Sequence, residues 1–198
     1  MLQVREGSAA AFEQLVQKYE ARLIGILDHL VRGQDQAQDL TQEVFMRVYR
    51  ARENYVPRAK FSTWLFTITH NVASNAIRKL SRRKEVNLVN SPSGSMPTQP
   101  LDTMAKDKSG LMPTRQVAEK EMSAIVREAI QTLNERQRMA MLLSKFEGMS
   151  YLEIAEAMDM STQAVKSLLS RARGNLKDAL TPYVESGILP PRLTETET

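Results

Sequence analysis

Two sets of side chains in this sequence could do chemistry, and in both it is recognition through hydrogen bonds and charge. The first lies between Phe61 and Arg83, where Trp64, Asn71 and Arg78 recur seven residues apart, followed by Arg82, with Thr67 and Asn75 alongside. An indole, amides and guanidiniums on one flank of a helix can stack on exposed bases and hydrogen-bond to them, while the cations hold phosphates. Arg78, Lys79, Arg82, Arg83 and Lys84 close that stretch as a charge run, and Arg58 and Lys60 make the preceding loop basic. The second set lies between Ser161 and Asp178. There Gln163, Lys166, Ser167, Ser170, Arg171 and Lys177 face outward, with Arg173 near the edge and no carboxylate before Asp178. Blander readings stand beside these. Trp64 fits a partly buried core position, the charge run fits a solvated helix end, and the second set fits the outside of an ordinary helical hairpin.

The elements that must position these groups are helices. Ser150 with Glu153 three residues on has the form of a capping box, and Ile154, Ala155 and Met158 then line one face. Asp159 and Met160 make a break, and Ser161 caps a second helix, whose Val165, Leu168, Leu169, Ala172 and Leu176 recur at three and four residues and face inward. A short helix, a turn and a basic exposed helix make a helix-turn-helix, whose second helix can enter the major groove.

Upstream, Phe12, Leu15, Val16, Tyr19, Leu23 and Ile26 belong to one helical stripe running from Ala9 to Leu30, which Gly33 ends. A second helix is expected over Gln36 to Ala51, with Ala37, Leu40, Val44, Val48 and Ala51 inside. Asp35, Asp39 and Glu43 lie toward its start and Arg47, Arg50 and Arg52 toward its end, a polarity that suits the helix dipole without further cause. The third helix, Phe61 to Arg83, buries Phe61, Leu65, Ile68, Val72 and Ala76. Residues 86–118 hold Pro92, Pro97, Pro100 and Pro113 among serines and show no periodicity, which predicts a flexible linker. Helix resumes near Glu119, and Asn134 can cap a further helix, Glu135 to Phe146. Pro182, Pro190 and Pro191 mark residues 182–198 as a mostly disordered tail. The fold class is therefore all-α, with two small helical domains, 1–85 and 119–181, on a flexible linker.

Composition bounds what remains. The chain has 198 residues, 42% of them apolar and 25% charged, enough for packed cores beneath a charged surface. Its net charge of +4 is a mild excess whose distribution matters more than its size. With no cysteine, disulfides, thiolate metal sites and cysteine nucleophiles are excluded. No membrane span or signal-peptide core is visible, so a soluble, cytoplasmic protein without membrane insertion is expected. His29 and His70 lie on different helices without metal-ligand spacing; His29 reads as a surface or boundary residue and His70 has no assigned role. There is no Gly-rich phosphate loop and no nucleophile elbow. No catalytic residue, metal, cofactor or small-molecule substrate is expected.

Three segments together resemble the bacterial sigma factors of the extracytoplasmic-function class, within the sigma-70 family. They are DLTQEVFMRVYR (Asp39 to Arg50), FSTWLFTITHNVASNAIRK (Phe61 to Lys79), and the stretch from Leu133 to Arg173 that holds the helix-turn-helix. The resemblance spans nearly all of the chain expected to fold. It implies that Asp39, Gln42 and Glu43 dock on a basic surface of core RNA polymerase. It implies that Arg58, Lys60, Trp64, Asn71, Asn75, Arg78, Arg82 and Arg83 meet the −10 promoter element. A non-template base would be flipped beside Asn71, at an unstacking cost of a few kcal/mol. At the −35 element, Lys166, Ser167, Ser170 and Arg171 would face base edges, with Thr162, Gln163 and Arg173 on phosphate. Where members of the class often carry a proline after the leucine opening the second domain, this chain has Asn134. Promoter DNA, core polymerase and an anti-sigma factor are the implied partners.

Two rival readings stay open at this point. A sigma-like decoy that binds an anti-sigma factor and no DNA should have lost Lys166, Arg171 and Arg173, yet all three are present. A stand-alone helix-turn-helix regulator would bind DNA without polymerase and would have no use for an acidic docking helix.

Overall fold

The structure is a computed structural model that describes residues 1–31, 33–90 and 113–188, with the backbone alone described for 83–90 and 113–120. All regular elements among the described residues are helical. The N-terminal body comprises α1 (Leu2–Arg5), α2 (Ala9–Val31), α3 (Gln34–Arg50), a turn of 3-10 helix (Ala51–Asn54) and the N-terminal part of α4 (Phe61–Asn90). The C-terminal body comprises α5 (Pro113–Thr132), α6 (Glu135–Lys145), α7 (Tyr151–Met158) and α8 (Thr162–Glu185).

The apolar stripes read from the sequence are the ones that pack. Helix α2 buries Leu23, Ile26, Leu27 and Leu30 against Ala37, Val44 and Val48 of α3. Thr41 and Phe45 join that core; the Thr41 hydroxyl donates back to the Ala37 carbonyl at 2.8 Å, which lets a polar residue sit there. Leu40 and Ala51 are only partly covered. Helix α1, not foreseen from the sequence, tucks Val4 into the bundle and is tied to the 55–60 loop by Arg5, which donates to the Tyr55 carbonyl at 3.2 Å.

All three side-chain caps form. Asn134 and Gln137 make a reciprocal capping box on α6, Ser150 and Glu153 make another on α7, and Ser161 accepts from the Ala164 N–H at the start of α8. Asp159 sits in the left-handed region at φ 50°, where its short polar side chain costs less than a branched one, and this residue turns the chain between α7 and α8.

Helix α6 departs from a one-sided stripe. Gln137, Arg138, Met139, Ala140, Met141, Leu142 and Leu143 are all buried, because α6 packs on α7 and α8 and also on α2. The Arg138 guanidinium is accommodated by carbonyls: it donates to Ile130, Gln131 and Leu133, which close α5, and to His29 of α2. One continuous apolar cluster therefore runs through both bodies.

Three boundaries differ from expectation. Helix α4 continues to Asn90 rather than stopping at Arg83, since the next strong breaker is Pro92. Helix α5 starts at Pro113, inside the expected linker, because proline's fixed φ suits the first helical position. Helix α8 runs through Pro182 to Glu185 instead of yielding to a tail near residue 182. There Leu180, Tyr183 and Val184 pack with Met122, Ile125 and Val126 of α5, which offsets the hydrogen bond lost at the proline. The central part of the expected linker, 91–112, and the end of the expected tail, 189–198, lie outside the described residues.

Candidate nucleic-acid interface

Helix α4 presents three faces, as stepping about 100° per residue separates them. Leu65, Ile68, Thr69 and Val72 point into the N-terminal bundle, with Leu65 and Thr69 fully buried. Asn71, Asn75, Arg78 and Arg82 are exposed on another side. The side chain of Arg83 lies outside the described residues. Thr63, Phe66, His70, Ala73 and Ile77 form the third face, a burial the sequence stripe did not foresee.

Trp64 takes the partly buried position that was one of the two readings offered for it. It is half-buried, with its ring 4.9 Å from Tyr55 and 5.9 Å from Phe61, both edge-on or tilted. Tyr55 is itself buried, so this aromatic group fixes the loop carrying Arg58 and Lys60 to the start of α4. Arg58 is exposed. Lys60 is exposed but engaged, its Nζ 2.8 Å from the Glu153 carboxylate on α7. That contact, with the Ser150 N–H and hydroxyl donating to the same side chain, pulls the Glu153 pKa down to about 2. Thr67 is spent on its own helix, donating to the Thr63 carbonyl at 2.9 Å.

On α8 the outward set is as expected. Thr162, Gln163, Lys166, Ser170 and Arg171 are exposed and Ser167 is half-exposed, while Val165, Leu169 and Ala172 are buried behind them. Arg173 is half-buried and donates to the Tyr151 hydroxyl at 3.3 Å, bracing α8 against α7 and lowering the tyrosine pKa. Helix, turn and cationic helix are thus assembled, with no carboxylate on α8 between Thr162 and Lys177.

On α3, Asp39 and Gln42 are exposed, and Glu43 pairs with Arg47 one turn on at 2.7 Å. Met46 completes the stripe at half exposure, an apolar side chain in water beside the acidic groups. The sequence reading overlooked it, and its place at helical spacing from Asp39, Gln42 and Glu43 was the available signal. Among the described residues there is no cluster of histidine and carboxylate groups able to hold a metal, and no helix long and apolar enough to cross a membrane.

Comparison with known proteins bears on both bodies. Residues 15–83 match the family model "Sigma-70 region 2" and residues 123–176 match "Sigma-70, region 4". The RNA polymerase sigma-H factor of Pseudomonas aeruginosa is 33% identical over 184 residues, covering 91% of this chain and 92% of its own. The ECF RNA polymerase sigma-E factor of Haemophilus influenzae is 30% identical over 181 residues, covering 91% and 93%. In fold, the chain resembles the Bartonella quintana sigma factor RpoE solved with the anti-sigma factor NepR, at a TM-score of 0.66 and 22% identity, covering 86% of this chain and 97% of that one. It also resembles CnrH solved with the cytosolic domain of CnrY, at a TM-score of 0.65 and 22% identity, covering 91% and 94%. Two matched regions in this order, relatives aligned nearly end to end, and two exposed cationic helices identify the chain as a member of the extracytoplasmic-function class of sigma-70 factors, which direct promoter-specific initiation of transcription.

Proposed function

We propose that the chain joins core RNA polymerase through α3 and reads a promoter at two points, the −10 element with α4 and the −35 element with α8. The observation that carries this is the pair of outward faces: Asn71, Asn75, Arg78 and Arg82 on one, Lys166, Ser170 and Arg171 on the other, all exposed on well-packed helices. In this reading 1–85 docks and opens the −10 region and 119–181 reads the −35 element; the matched regions, 15–83 and 123–176, lie within these units.

Each assignment has a physical basis. Asp39, Gln42 and Glu43, with Met46 beside them, give a polar and partly acidic patch with an apolar centre, suited to a basic docking surface. Arg58, Lys60, Trp64, Asn75, Arg78, Arg82 and Arg83 supply stacking area and phosphate contacts around Asn71, whose amide can both donate to and accept from an extruded base. Lys166, Ser167, Ser170 and Arg171 reach base edges in the major groove, and Thr162 and Gln163 at the N-terminus of α8 meet phosphate. Arg173 reaches phosphate only from the edge, since its guanidinium also holds Tyr151. The work is done in the cytoplasm, where polymerase and promoters are, with an anti-sigma factor as the restraining partner and no chemical step of the chain's own. Exposed cations on α8 disfavour the decoy reading.

Run-off transcription with purified core enzyme over a promoter library tests this. Transcripts from templates sharing one −35 and one −10 motif are expected. No transcript from any template, or transcripts without polymerase-dependent promoter selection, would end the proposal.

A further inference from the structure

Helix α1 is a single turn and lies ahead of the segment that matches region 2, which begins at residue 15. It is nonetheless well seated. Val4 is fully buried, Met1 packs on the apolar cluster, and the Ser8 hydroxyl accepts from the Ala11 N–H at 3.2 Å to cap α2. Gly7, at φ 96°, makes the turn between the two helices, a conformation that suits glycine. From this seat Arg5 reaches the Tyr55 carbonyl at 3.2 Å.

Tyr55 is the root of the loop that carries Arg58. Its ring is buried against Trp64 and Phe61, at 4.9 and 6.3 Å, so its position is set from inside the bundle. That packing leaves free the plane of the peptide that follows, and Arg5 holds the carbonyl of that plane. The next residues transmit its orientation. Val56 precedes a proline and is biased to extended backbone, Pro57 has its φ fixed by its ring, and the Arg58 N–H donates to the Val56 carbonyl at 2.8 Å across the proline. These residues form a stiff arm with Tyr55 at its hinge and Arg58 at its end. The arm is at most about 10 Å long, so a turn of about 20° at the hinge moves its end by up to about 3 Å, enough to break a hydrogen bond.

We propose that Arg5 is a positioning residue for −10 recognition: through the Tyr55 carbonyl it sets the heading of the loop, and so the place at which Arg58 meets the promoter. The promoter consequence rests on the function proposed above; the bracing of the loop does not. Selectivity at one promoter element is in this way governed from the first turn of the chain.

Holoenzyme made with each variant, scored on a library of −10 sequences behind one fixed −35 element, tests this. Arg5→Met keeps the aliphatic stem and removes the donors. It should lower discrimination at the position read from the loop by about fivefold, the worth of one hydrogen bond, with core affinity and −35 discrimination unchanged. Arg5→Lys restores a charged donor and should recover most of the loss. Pro57→Gly makes the arm flexible, so adding Arg5→Met to it should cost nothing further. Unchanged −10 discrimination in Arg5→Met overturns the proposal, as does no recovery with lysine or full additivity with Pro57→Gly. Equal weakening on every −10 sequence would assign Arg5 to phosphate and overturn it as well. Hydrogen exchange of the free chain tests the bracing alone: amides from Val56 to Lys60 should exchange faster in Arg5→Met while those of α2 and α3 keep their rates. Unchanged exchange there would overturn the bracing. Faster exchange, with no −10 preference even in the unsubstituted chain, would strike the promoter reading and leave the bracing standing.

Discussion

Arg171 stands on the outer face of α8, exposed and without a carboxylate partner on its own helix before Asp178. If it reads a base edge, Arg171→Ala should weaken −35 binding by about 1–3 kcal/mol on the preferred sequence and flatten discrimination at one position. Binding assays across single-base variants check this, since uniform weakening assigns the side chain to phosphate. Asn71→Ala should leave affinity for core polymerase unchanged and slow promoter opening, measured by fluorescence of a base analogue in the −10 element. A template with a pre-melted bubble should recover most of the loss. On α3 the acids should differ: Asp39 is exposed with no ion pair shown, whereas Glu43 already holds Arg47. Charge reversal at either should lower core affinity in competition binding, Asp39→Lys by removing an unpaired carboxylate and Glu43→Lys by also freeing the Arg47 cation toward a basic surface.

At the level of elements, the caps were legible and the seam between the two bodies was not. Ser150 with Glu153, Ser161 and Asn134 announce helix starts because a short side-chain oxygen three residues ahead of an N–H is a local arrangement. Ser150→Ala should cost about 1 kcal/mol of stability, read from a urea midpoint at constant slope. The loss should centre on α7, because Glu153 would lose its hydroxyl donor there. The stripe of α4 was legible only on the side facing its own bundle; Phe66 and Ala73 are buried by packing from distant helices, a pairing periodicity does not encode. The same holds for α6, where one residue, Arg138, is buried because four backbone carbonyls converge on it. Pro182 misled for a related reason: propensity argued for a stop, and contact with α5 outweighed it. Of the proposed reading residues, the exposed ones were foreseen from charge and spacing, while the engagement of Lys60 by Glu153 and of Arg173 by Tyr151 needed the folded chain.

For the molecule as a whole, the chain's two histidines both lie at the seam between the bodies. His29 is half-buried beside Phe146, and burial, with Arg127 and Arg138 facing it from α5 and α6, lowers its pKa from 6.5 against the opposing pull of Asp28. It also lines a pocket of about 190 Å³ between α2 and α6, together with Arg22 and Glu147. His70 is lowered by burial and by Arg136, opposed by Glu135, whose carboxylate accepts from Ser74 one turn away. Groups with depressed pKa values bind fewer protons in the folded chain, so the fold is most stable with respect to these two groups above pH 6.5 and loses stability as pH falls below it. Glu153 stays ionised throughout that range, so its tie to Lys60 does not titrate with them. The urea midpoint should fall as pH drops below 6.5, and His29→Gln with His70→Gln should suppress that fall.

The three-sided use of α4 also limits how this protein can diverge. Between Thr63 and Arg78 nearly every position serves the bundle, the seam or the open flank, so a substitution that suits one neighbour is judged by two others. Val56 to Ala59 in the preceding loop carry no such duty, with each of their side chains exposed, whereas Lys60 is held by Glu153. Under the promoter reading proposed above, new preferences should accumulate around Arg58 first, while the helix behind it stays nearly fixed.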